Sequence, residues 1–281
     1  METMEQVIKN TLIMDTQKSD DGDYIYNGLI YCGKCNTPKQ SIIHINGKEI
    51  KVPCSCKCES EAYEREMAMI KAREKQLYID NLKKMSLIGK RYENASFNKC
   101  ENTNESFARA KQRCQKYCSI AEEALQNGYG IYLFGNSGVG KTLLTACMCN
   151  ELTSNMKQCL FTNFFEISKT IRASYNSKME SEENLINKIV NVDFLFIDDI
   201  GTEQLKKNGE DTWLQEKIYD IINKRYNEKK PTIFTSNYNL NELINRGMMD
   251  KTVDRIMEMA TAIIKIDGVS YRKSINKTVP F

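Results

Sequence analysis

The stretch GNSGVGKT at residues 135–142 decides the fold class of this chain, because it is a complete G-x-x-x-x-G-K-T phosphate loop. A short apolar and aromatic run, residues 130–134, precedes it, and residues 143–148, which lack glycine and proline, follow it. This order predicts a strand, a loop and a helix. In that context the backbone N–H groups of the loop and the positive end of the helix bind a phosphate. The sequence therefore predicts an α/β fold with a nucleoside triphosphate site.

Two side chains of the loop have specific expected roles. Lys141 is expected to reach the β- and γ-phosphates of ATP, and the hydroxyl of Thr142 is expected to bind Mg²⁺. The backbone of the other loop residues is expected to surround the phosphates. The predicted nucleotide-binding residues in this loop are Gly135, Asn136, Ser137, Gly138, Val139, Gly140, Lys141 and Thr142.

The composition of the chain excludes few classes of protein. Its 281 residues suffice for one large domain or two smaller ones, and 40 basic against 37 acidic residues give a net charge of +3, too small to indicate a polyanionic partner. No apolar run approaches the about 20 residues of a membrane span. The N-terminus lacks the basic and apolar regions of a secretion signal. We therefore expect a cytoplasmic protein without a membrane partner.

A group of cysteines near the N-terminus predicts a metal site. Five of the eleven cysteines form a C-x-x-C pair and, after 18 intervening residues, a C-x-C-x-C group, the spacing of a small zinc knuckle or ribbon. Residues 41–52 between them largely alternate apolar and polar side chains around Asn46-Gly47, which predicts a β-hairpin with a type I′ turn. Such a hairpin would bring the two thiol groups together around a structural Zn²⁺.

Five cysteines compete for the four positions of a tetrahedral zinc site. Cys32, Cys35 and Cys54 are the favoured ligands, and either Cys56 or Cys58 is the fourth.

Two alternatives to this zinc site are less favoured. His44, the only histidine, is a candidate replacement for one thiol, although a solvated position on the hairpin suits it better. A redox role for the first cysteine pair is discounted, because no βαβ pattern surrounds it.

Residues 59–84 predict a long amphipathic helix. They are rich in Glu, Lys, Ala and Met, contain no Gly or Pro, and place four apolar side chains at helical spacing: Tyr63, Met67, Ile70 and Leu77. The helix serves either as a solvated connector or as a partner-binding strut. The pattern breaks at residues 86–92. We therefore predict a zinc-binding domain over 1–58, a linker helix over 59–88 and a nucleotide-binding domain over 89–281.

Polar side chains end two further predicted strands. The apolar run at 192–201 ends in Asp198 and Asp199, as expected for a buried parallel strand whose carboxyl end faces the nucleotide. Asp198 is expected to hold Mg²⁺ through water, and Asp199 to polarise the water that attacks the γ-phosphate. Asn237 ends the run at 231–237 and is expected to orient that water. The plainer alternatives are helix capping by the carboxylates and turn formation by Asn237.

Together, five motifs resemble the AAA+ ATPases of the DnaC/DnaI helicase-loader and IstB group: GNSGVGKT (135–142), FLFIDDIG (194–201), IFTSN (233–237), VDR (253–255) and SYR (270–272). The resemblance covers about residues 91–272. It implies an AAA+ P-loop core, a parallel sheet flanked by helices, preceded here by the small zinc-binding domain and the linker helix.

The resemblance also assigns roles to residues. It implies that Asn237 is sensor 1, that Arg272 is a sensor 2 arginine, and that Arg255 is an arginine finger contributed to a neighbour's site. An arginine finger stabilises charge on the transferring phosphoryl group, so hydrolysis would require self-association. It further implies that the N-terminal zinc domain binds a replicative DnaB-type helicase.

A predicted helix between the two nucleotide motifs is a candidate DNA contact. Residues 164–178 place Lys169, Arg172, Tyr175 and Lys178 three apart on one face. Basic groups with an aromatic ring in reach suit single-stranded DNA, through phosphate neutralisation and base stacking. The resemblance implies the initiator-specific helix that lines a DNA channel. An ordinary solvated helix face is the alternative.

These inferences predict an ATPase that loads a replicative helicase, with ATP turnover as the release switch. Three alternatives remain: an IstB-like transposition helper that partners a transposase on duplex DNA, a small-molecule kinase with its own substrate pocket, and an adapter whose shape ATP fixes without hydrolysis.

Overall fold

The computed structural model describes residues 22–45, 47–101, 103–174, 181–202 and 210–270. These residues form two compact units, which divide between Glu74 and Lys75. That division falls within the predicted linker helix, whereas the sequence places domain boundaries after residues 58 and 88. Within the described ranges, no helix is long and apolar enough to cross a membrane.

The first unit contains two antiparallel hairpins. Strand β1 (Tyr24–Tyr26) pairs with β2 (Leu29–Tyr31), and β3 (Gln40–Ile45) pairs with β4 (Lys48–Pro53). The second hairpin confirms the one predicted around Asn46-Gly47, although Asn46 itself lies outside the described residues. Most side chains of β1 and β3 are exposed. Isolated two-stranded sheets that bury so little apolar surface are marginally stable, so this unit needs another source of stability.

Helix α1 (Lys57–Met85) begins at the second thiol group and confirms the long helix predicted there. Its first turn contains Glu59 and its last turn contains Lys83 and Lys84, charges that suit the two ends of the helix dipole.

A five-stranded parallel sheet forms the centre of the second unit. The strand order is β6-β7-β8-β5-β9, and all neighbouring pairs are parallel. The strands are β5 (Gly130–Phe134), β6 (Cys159–Thr162), β7 (Phe194–Ile200), β8 (Thr232–Ser236) and β9 (Ala260–Lys265). This sheet confirms the predicted α/β fold, and strands β5 to β8 are buried along most of their length, as expected where both faces of a parallel sheet are covered.

Helices cover the sheet on both faces. Successive strand side chains alternate between two apolar clusters: Phe194 and Phe196 contribute to one, and Leu195 and Ile197 to the other. The helices are α2 (Glu105–Ser119), α3 (Ala121–Asn127), α4 (Lys141–Ser154), α5 (Phe164–Ser174), α6 (Glu182–Asn191), α7 (Glu210–Asn227), α8 (Leu240–Asn245) and α9 (Asp250–Met259), with 3-10 turns at Lys90–Tyr92 and Phe97–Lys99.

The segment after α1 covers one edge of the sheet. The N–H of Leu87 donates to the carbonyl oxygen of Phe161 in β6 at 2.8 Å, and the Ser86 hydroxyl accepts from the N–H of Phe161 at 3.0 Å. These bonds satisfy backbone groups of an edge strand that would otherwise be open to pairing with another chain.

Arg225 of α7 is fully buried at the end of the sheet opposite the nucleotide motifs. Its Nε donates to the hydroxyl of Thr232 at 2.9 Å, and one terminal amino group donates to the carbonyl oxygens of Val190 (2.7 Å) and Val192 (2.9 Å). The other amino group donates to the carbonyl oxygen of Pro231. Burial lowers the pKa of Arg225 to about 9, so the guanidinium still carries its charge at neutral pH. It therefore joins the end of α6 to the starts of β7 and β8.

Replacing Arg225 by methionine is expected to lower the free energy of unfolding by at least about 3 kcal/mol, because several buried carbonyl groups lose their donor. Urea unfolding of the full chain measures this. Replacing the exposed neighbour Lys224 by alanine is the control and should change the free energy by about 0.5 kcal/mol or less. A loss below about 1 kcal/mol for the methionine variant would contradict the structural role of the arginine.

Candidate functional site

The phosphate loop joins β5 to α4 and leaves no room for a side chain at its first residue. Gly135 has φ +151°, and a Cβ there would lie 2.1 Å from the carbonyl oxygen of Ile266. Lys141, the first residue of α4, is buried, and its Nζ donates to the carbonyl oxygens of Gly135 (2.8 Å) and Asn136 (3.0 Å). The lysine is thus held against the loop, where the β- and γ-phosphates of a nucleotide are expected.

Three predicted residues from different elements meet beside the loop. The Nζ of Lys141 also donates to Oδ1 of Asn237 at 2.8 Å, and Nδ2 of Asn237 donates to Oδ1 of Asp199 at 2.9 Å. They meet because β7 and β8 are neighbours and β8 also pairs with β5, so the carboxyl ends of these strands share one edge of the sheet. An amide and a carboxylate side by side can both bind a water molecule at this position.

Asp198 is held by two hydroxyl groups. Thr142 donates to it at 3.1 Å, and Thr235, which sequence reasoning missed, donates at 2.6 Å. Burial raises the pKa of Asp198, and the bonds from the two threonines oppose this shift. A hydroxyl and a carboxylate oxygen in contact are ligands that suit Mg²⁺, so Thr142 and Asp198 fit the predicted magnesium site.

The backbone at Asp199 adopts a conformation that is rare for residues other than glycine. Its φ is +59°, and the pairing of β7 with β8 shifts register between Ile197 and Ile200. The Asp199 N–H donates to the hydroxyl of Thr235 at 2.8 Å. Consecutive strand residues normally point to opposite faces, but this irregularity lets both Asp198 and Asp199 line the same cavity. Such backbone costs about 1–3 kcal/mol and persists where surrounding contacts hold it.

A cavity of about 530 Å³ lies in front of these groups and is large enough for a nucleotide. The phosphate loop, Asp198, Asp199 and Asn237 form one wall. The other wall was missed by sequence reasoning, because its residues belong to no recognisable motif: they are Arg91, Tyr92, Lys99, Cys100, Glu101, Thr103 and Phe107.

Four of the five N-terminal cysteines meet in the first unit. The thiols of Cys32, Cys35, Cys56 and Cys58 all lie within 4.8 Å of one another. Cys58 Sγ is 3.4 Å from Cys32 Sγ and 3.2 Å from Cys56 Sγ. Thiolates bound to zinc at about 2.3 Å stand about 3.8 Å apart in a tetrahedron, so this group fits a structural zinc ion.

The thiol cluster contains both Cys56 and Cys58 and leaves out Cys54, which the sequence favours as a ligand. Cys54 lies directly after β4, and its thiol lies 3.5 Å from the carbonyl oxygen of Pro38 instead of joining the cluster. Spacing alone could not exclude it. His44 lies in β3, exposed and 3.2 Å from Glu49, as its predicted solvated position requires.

Neighbouring groups change the acidity of the clustered thiols. The Thr37 hydroxyl lowers the pKa of Cys35 to about 5, whereas the nearby Cys56 raises the pKa of Cys58 to about 12. Thiolates this close repel one another unless a cation lies between them. Zinc would displace the remaining protons, so zinc affinity is expected to fall as the solution becomes acidic.

Polar contacts brace the two thiol groups against each other. The N–H of Lys57, at the start of α1, donates to the Thr37 hydroxyl at 2.9 Å, and the N–H of Cys56 donates to Glu59 at 3.2 Å. Glu59 in turn lies 3.2 Å from Lys39, which also pairs with Asp23 at 2.8 Å. Surrounding bonds of this kind fix the orientation of metal ligands.

Arg255 lies on α9 and is not among the described residues that line the nucleotide cavity. Its Nε donates to Asn223 at 3.2 Å, its guanidinium lies 4.5 Å from the ring centroid of Tyr226, and a terminal amino group pairs with Glu258. This pairing raises the pKa of Arg255. Its role in a neighbouring subunit remains a proposal.

Arg272 lies outside the described residues. The described chain ends at Ser270, close to the phosphate loop: a Cβ on Gly138 would lie 2.1 Å from the Ser270 hydroxyl oxygen.

Two of the four predicted DNA-binding residues lie on α5, and Tyr175 and Lys178 lie outside the described residues. Lys169 is exposed and 3.7 Å from Glu166. The guanidinium of Arg172 lies 5.4 Å from the ring centroid of Trp213. Arg172 of α5 therefore lies beside an aromatic ring, but that ring belongs to Trp213 of α7 and not to the helix itself.

The chain is similar to known ATP-binding proteins and helicase loaders. The family described as "IstB-like ATP binding protein" matches residues 62–278. The chain is 27% identical over 188 residues to the replicative helicase loader DnaC of Escherichia coli K12, covering 66% of this chain and 71% of that protein. It is 24% identical over 243 residues to the replicative helicase loader DnaI of Bacillus subtilis, covering 81% of this chain and 71% of that protein.

Solved structures of such proteins share the fold of the second unit. The crystal structure of a DnaC helicase loader superposes with a TM-score of 0.52 at 27% identity, covering 64% of this chain and 100% of that one. A crystal structure of DnaI superposes with a TM-score of 0.51 at 24% identity, covering 66% of this chain and 94% of that one.

Proposed function

This chain belongs to the IstB-like ATP-binding family and is homologous to the DnaC and DnaI loaders, and from that premise we propose that it loads a replicative helicase during DNA replication. The observation that carries the proposal is the joint arrangement of Lys141, Asp198, Asp199 and Asn237 around a nucleotide-sized cavity in a chain related to these loaders. ATP is the nucleotide, as the family description states.

The same residues support hydrolysis as well as binding of ATP. Thr142 and Asp198 would hold Mg²⁺, which neutralises charge on the phosphates when bound. On binding, Lys141 exchanges its contacts with backbone carbonyl groups for the phosphates. Asp199 and Asn237 then hold a water molecule in line with the γ-phosphate. Asp199 accepts a proton from this water as its oxygen bonds to the γ-phosphorus, while the bond from that phosphorus to the β–γ bridging oxygen breaks and ADP leaves.

A second copy of this chain would complete the site. Arg255, outside its own cavity, would enter a neighbour's site as the arginine finger, and Arg272 would act as sensor 2. The guanidinium of Arg255 would balance the negative charge that develops on the transferring phosphoryl group. ATP turnover then depends on self-association. Loss of the γ-phosphate serves as the switch that releases the helicase.

The N-terminal unit is the proposed docking unit for a DnaB-type helicase. Four thiolates would hold a structural zinc ion, which contributes the folding energy that two short hairpins lack. The presence of this unit also favours a helicase loader over the transposition helper. A small-molecule kinase would leave Arg255 without a role.

Single-stranded DNA is the proposed nucleic-acid partner of α5. Replacing Lys169 and Arg172 together by alanine is expected to weaken binding of single-stranded DNA. It should also reduce the magnitude of the slope of log affinity against log salt by about 1.4, because fewer counterions leave the DNA when two phosphate contacts are lost. Fluorescence anisotropy at several salt concentrations measures the slope. The control removes two exposed charges elsewhere, Arg109 and Lys224. Equal slopes for both double variants would place the DNA contact on another surface.

The helicase contact is tested by co-purification. Tagged full-length chain is expected to retain the hexameric helicase of its own cell in ATP, and a chain that begins at residue 89 is expected to lose it. Retention of the helicase by a shortened chain that still binds ATP would refute the docking role of the N-terminal unit.

A further inference from the structure

Arg246 connects two loops of the nucleotide site. It follows α8, and its Nε donates to the carbonyl oxygen of Gly201 at 2.8 Å, while its guanidinium lies 4.1 Å from the ring centroid of Tyr238. Gly201 comes two residues after Asp199, and Tyr238 directly follows Asn237. One side chain therefore joins the ends of β7 and β8, the strands that carry the two residues proposed to position water.

The end of β7 is the part of the site that most needs such support. Asp199 has φ +59° and Gly201 has φ +83°, so the chain turns through two left-handed residues within three positions. Before the turn, the Asp199 N–H bonds to Thr235; within it, the carbonyl oxygen of Ile200 accepts from the Ser236 hydroxyl at 2.6 Å. The hydroxyl groups in these two bonds, from Thr235 and Ser236, both belong to β8. Arg246, which lies outside the sheet, binds the next carbonyl oxygen of the turn, that of Gly201.

The position of Arg246 in the chain also relates this turn to α9. The residue lies between α8, which ends at Asn245, and α9, which begins at Asp250 and carries Arg255. A displacement of this connection would move the guanidinium relative to Gly201.

We propose that Arg246 is a positioning residue for ATP hydrolysis, which holds the turn at Gly201 against Tyr238 and so fixes Asp199 relative to Asn237. The inference rests on the proposed ATPase function. It assigns no contact between Arg246 and the nucleotide. Loss of Arg246 should therefore lower the rate of turnover and leave nucleotide binding intact.

Steady-state kinetics on the full chain test this separation. Arg246→Met is expected to lower kcat about tenfold or more and to change KM by no more than about twofold. The fall in kcat is expected because misplaced reacting groups raise the activation barrier. Arg246→Lys is expected to recover part of kcat, since an ammonium group can donate to Gly201 and lie over Tyr238. Arg109→Met, on the exposed face of α2, is the control. An unchanged kcat, or a rise in KM equal to the fall in kcat, would overturn the proposal.

Amide hydrogen exchange gives a second readout that does not depend on turnover. The amides of residues 199–202 are expected to exchange at least about threefold faster in Arg246→Met than in wild type, with the sheet unchanged and Arg109→Met like wild type. Equal exchange would overturn the positioning role. A wild-type chain that never hydrolyses ATP would refute the proposed ATPase function instead, whereas faster exchange in Arg246→Met would still show that Arg246 holds the turn at Gly201.

Discussion

Replacing Arg255 by alanine is expected to lower ATP turnover about 10³-fold in the assembled protein while leaving ATP affinity unchanged, which is the effect of losing an arginine finger supplied in trans. The structure supports the separation of the two effects, because Arg255 lies on α9 and does not line the cavity of its own chain. Turnover and affinity are measured separately, by phosphate release and by equilibrium binding of a labelled nucleotide.

A mixing experiment distinguishes a finger supplied in trans from a structural role. An Arg255→Ala chain retains an intact cavity, and an Asp199→Asn chain retains the finger. Neither is expected to turn over ATP alone, but a mixture should recover a measurable fraction, because some sites then combine Asp199 from one chain with Arg255 from another. Arg109→Ala, at an exposed arginine on α2, is the control and should match wild type. Inactive mixtures, or unaltered turnover in Arg255→Ala, would contradict the shared site.

Removing one thiol of the cysteine cluster is expected to remove the zinc and with it the fold of the N-terminal unit. Cys56→Ser is the most informative variant, because Cys56 is buried and lies 3.2 Å from Cys58. Structural zinc contributes about 10–16 kcal/mol to small domains, far more than two short hairpins with exposed strands supply. Metal analysis of the purified chain measures the loss, together with the helicase co-purification.

Cys54→Ser is the matched control for that variant. It removes a thiol from the same C-x-C-x-C group, but the Cys54 thiol faces the carbonyl oxygen of Pro38 and not the cluster. The Cys54→Ser chain should therefore bind about one equivalent of zinc, as wild type does, in a site of four thiolates. Loss of zinc from this variant, or full zinc content in Cys56→Ser, would show that the ligand set is different.

The residues that could be predicted from the sequence are those whose chemistry is fixed by local pattern. Lys141 and Thr142 follow from the phosphate loop, and Asp198 and Asn237 follow from apolar runs that end in polar residues. These strands place their carboxyl ends at one edge of a parallel sheet, so the meeting of Lys141, Asn237 and Asp199 follows from the topology.

The contacts that could not be predicted depend on tertiary packing. Thr235 precedes Asn237 by two residues and donates to Asp198, but its sequence context is an ordinary strand. Arg225 belongs to no motif, yet it is fully buried because the end of α6 and the starts of β7 and β8 supply carbonyl and hydroxyl acceptors around it. The cavity wall formed by residues near 91–107 carries no motif at all.

Sequence spacing also cannot identify which of the five N-terminal cysteines cluster. Spacing predicts that two thiol groups meet across a hairpin, but not which two of the three cysteines of C-x-C-x-C join the cluster. The end of β4 at Pro53 and the start of α1 at Lys57 determine which cysteines cluster. They place Cys56 and Cys58 beside Cys32, and Cys54 outside the cluster.

The most direct test of the account is helicase loading onto a closed circle of single-stranded DNA. A hexameric ring cannot thread onto a circle without being opened, so helicase bound to the circle after a high-salt wash reports loading itself. We predict that stable loading requires this chain and ATP, and that it is lost in the variant beginning at residue 89. Equal loading with and without the chain would contradict the assignment as a helicase loader.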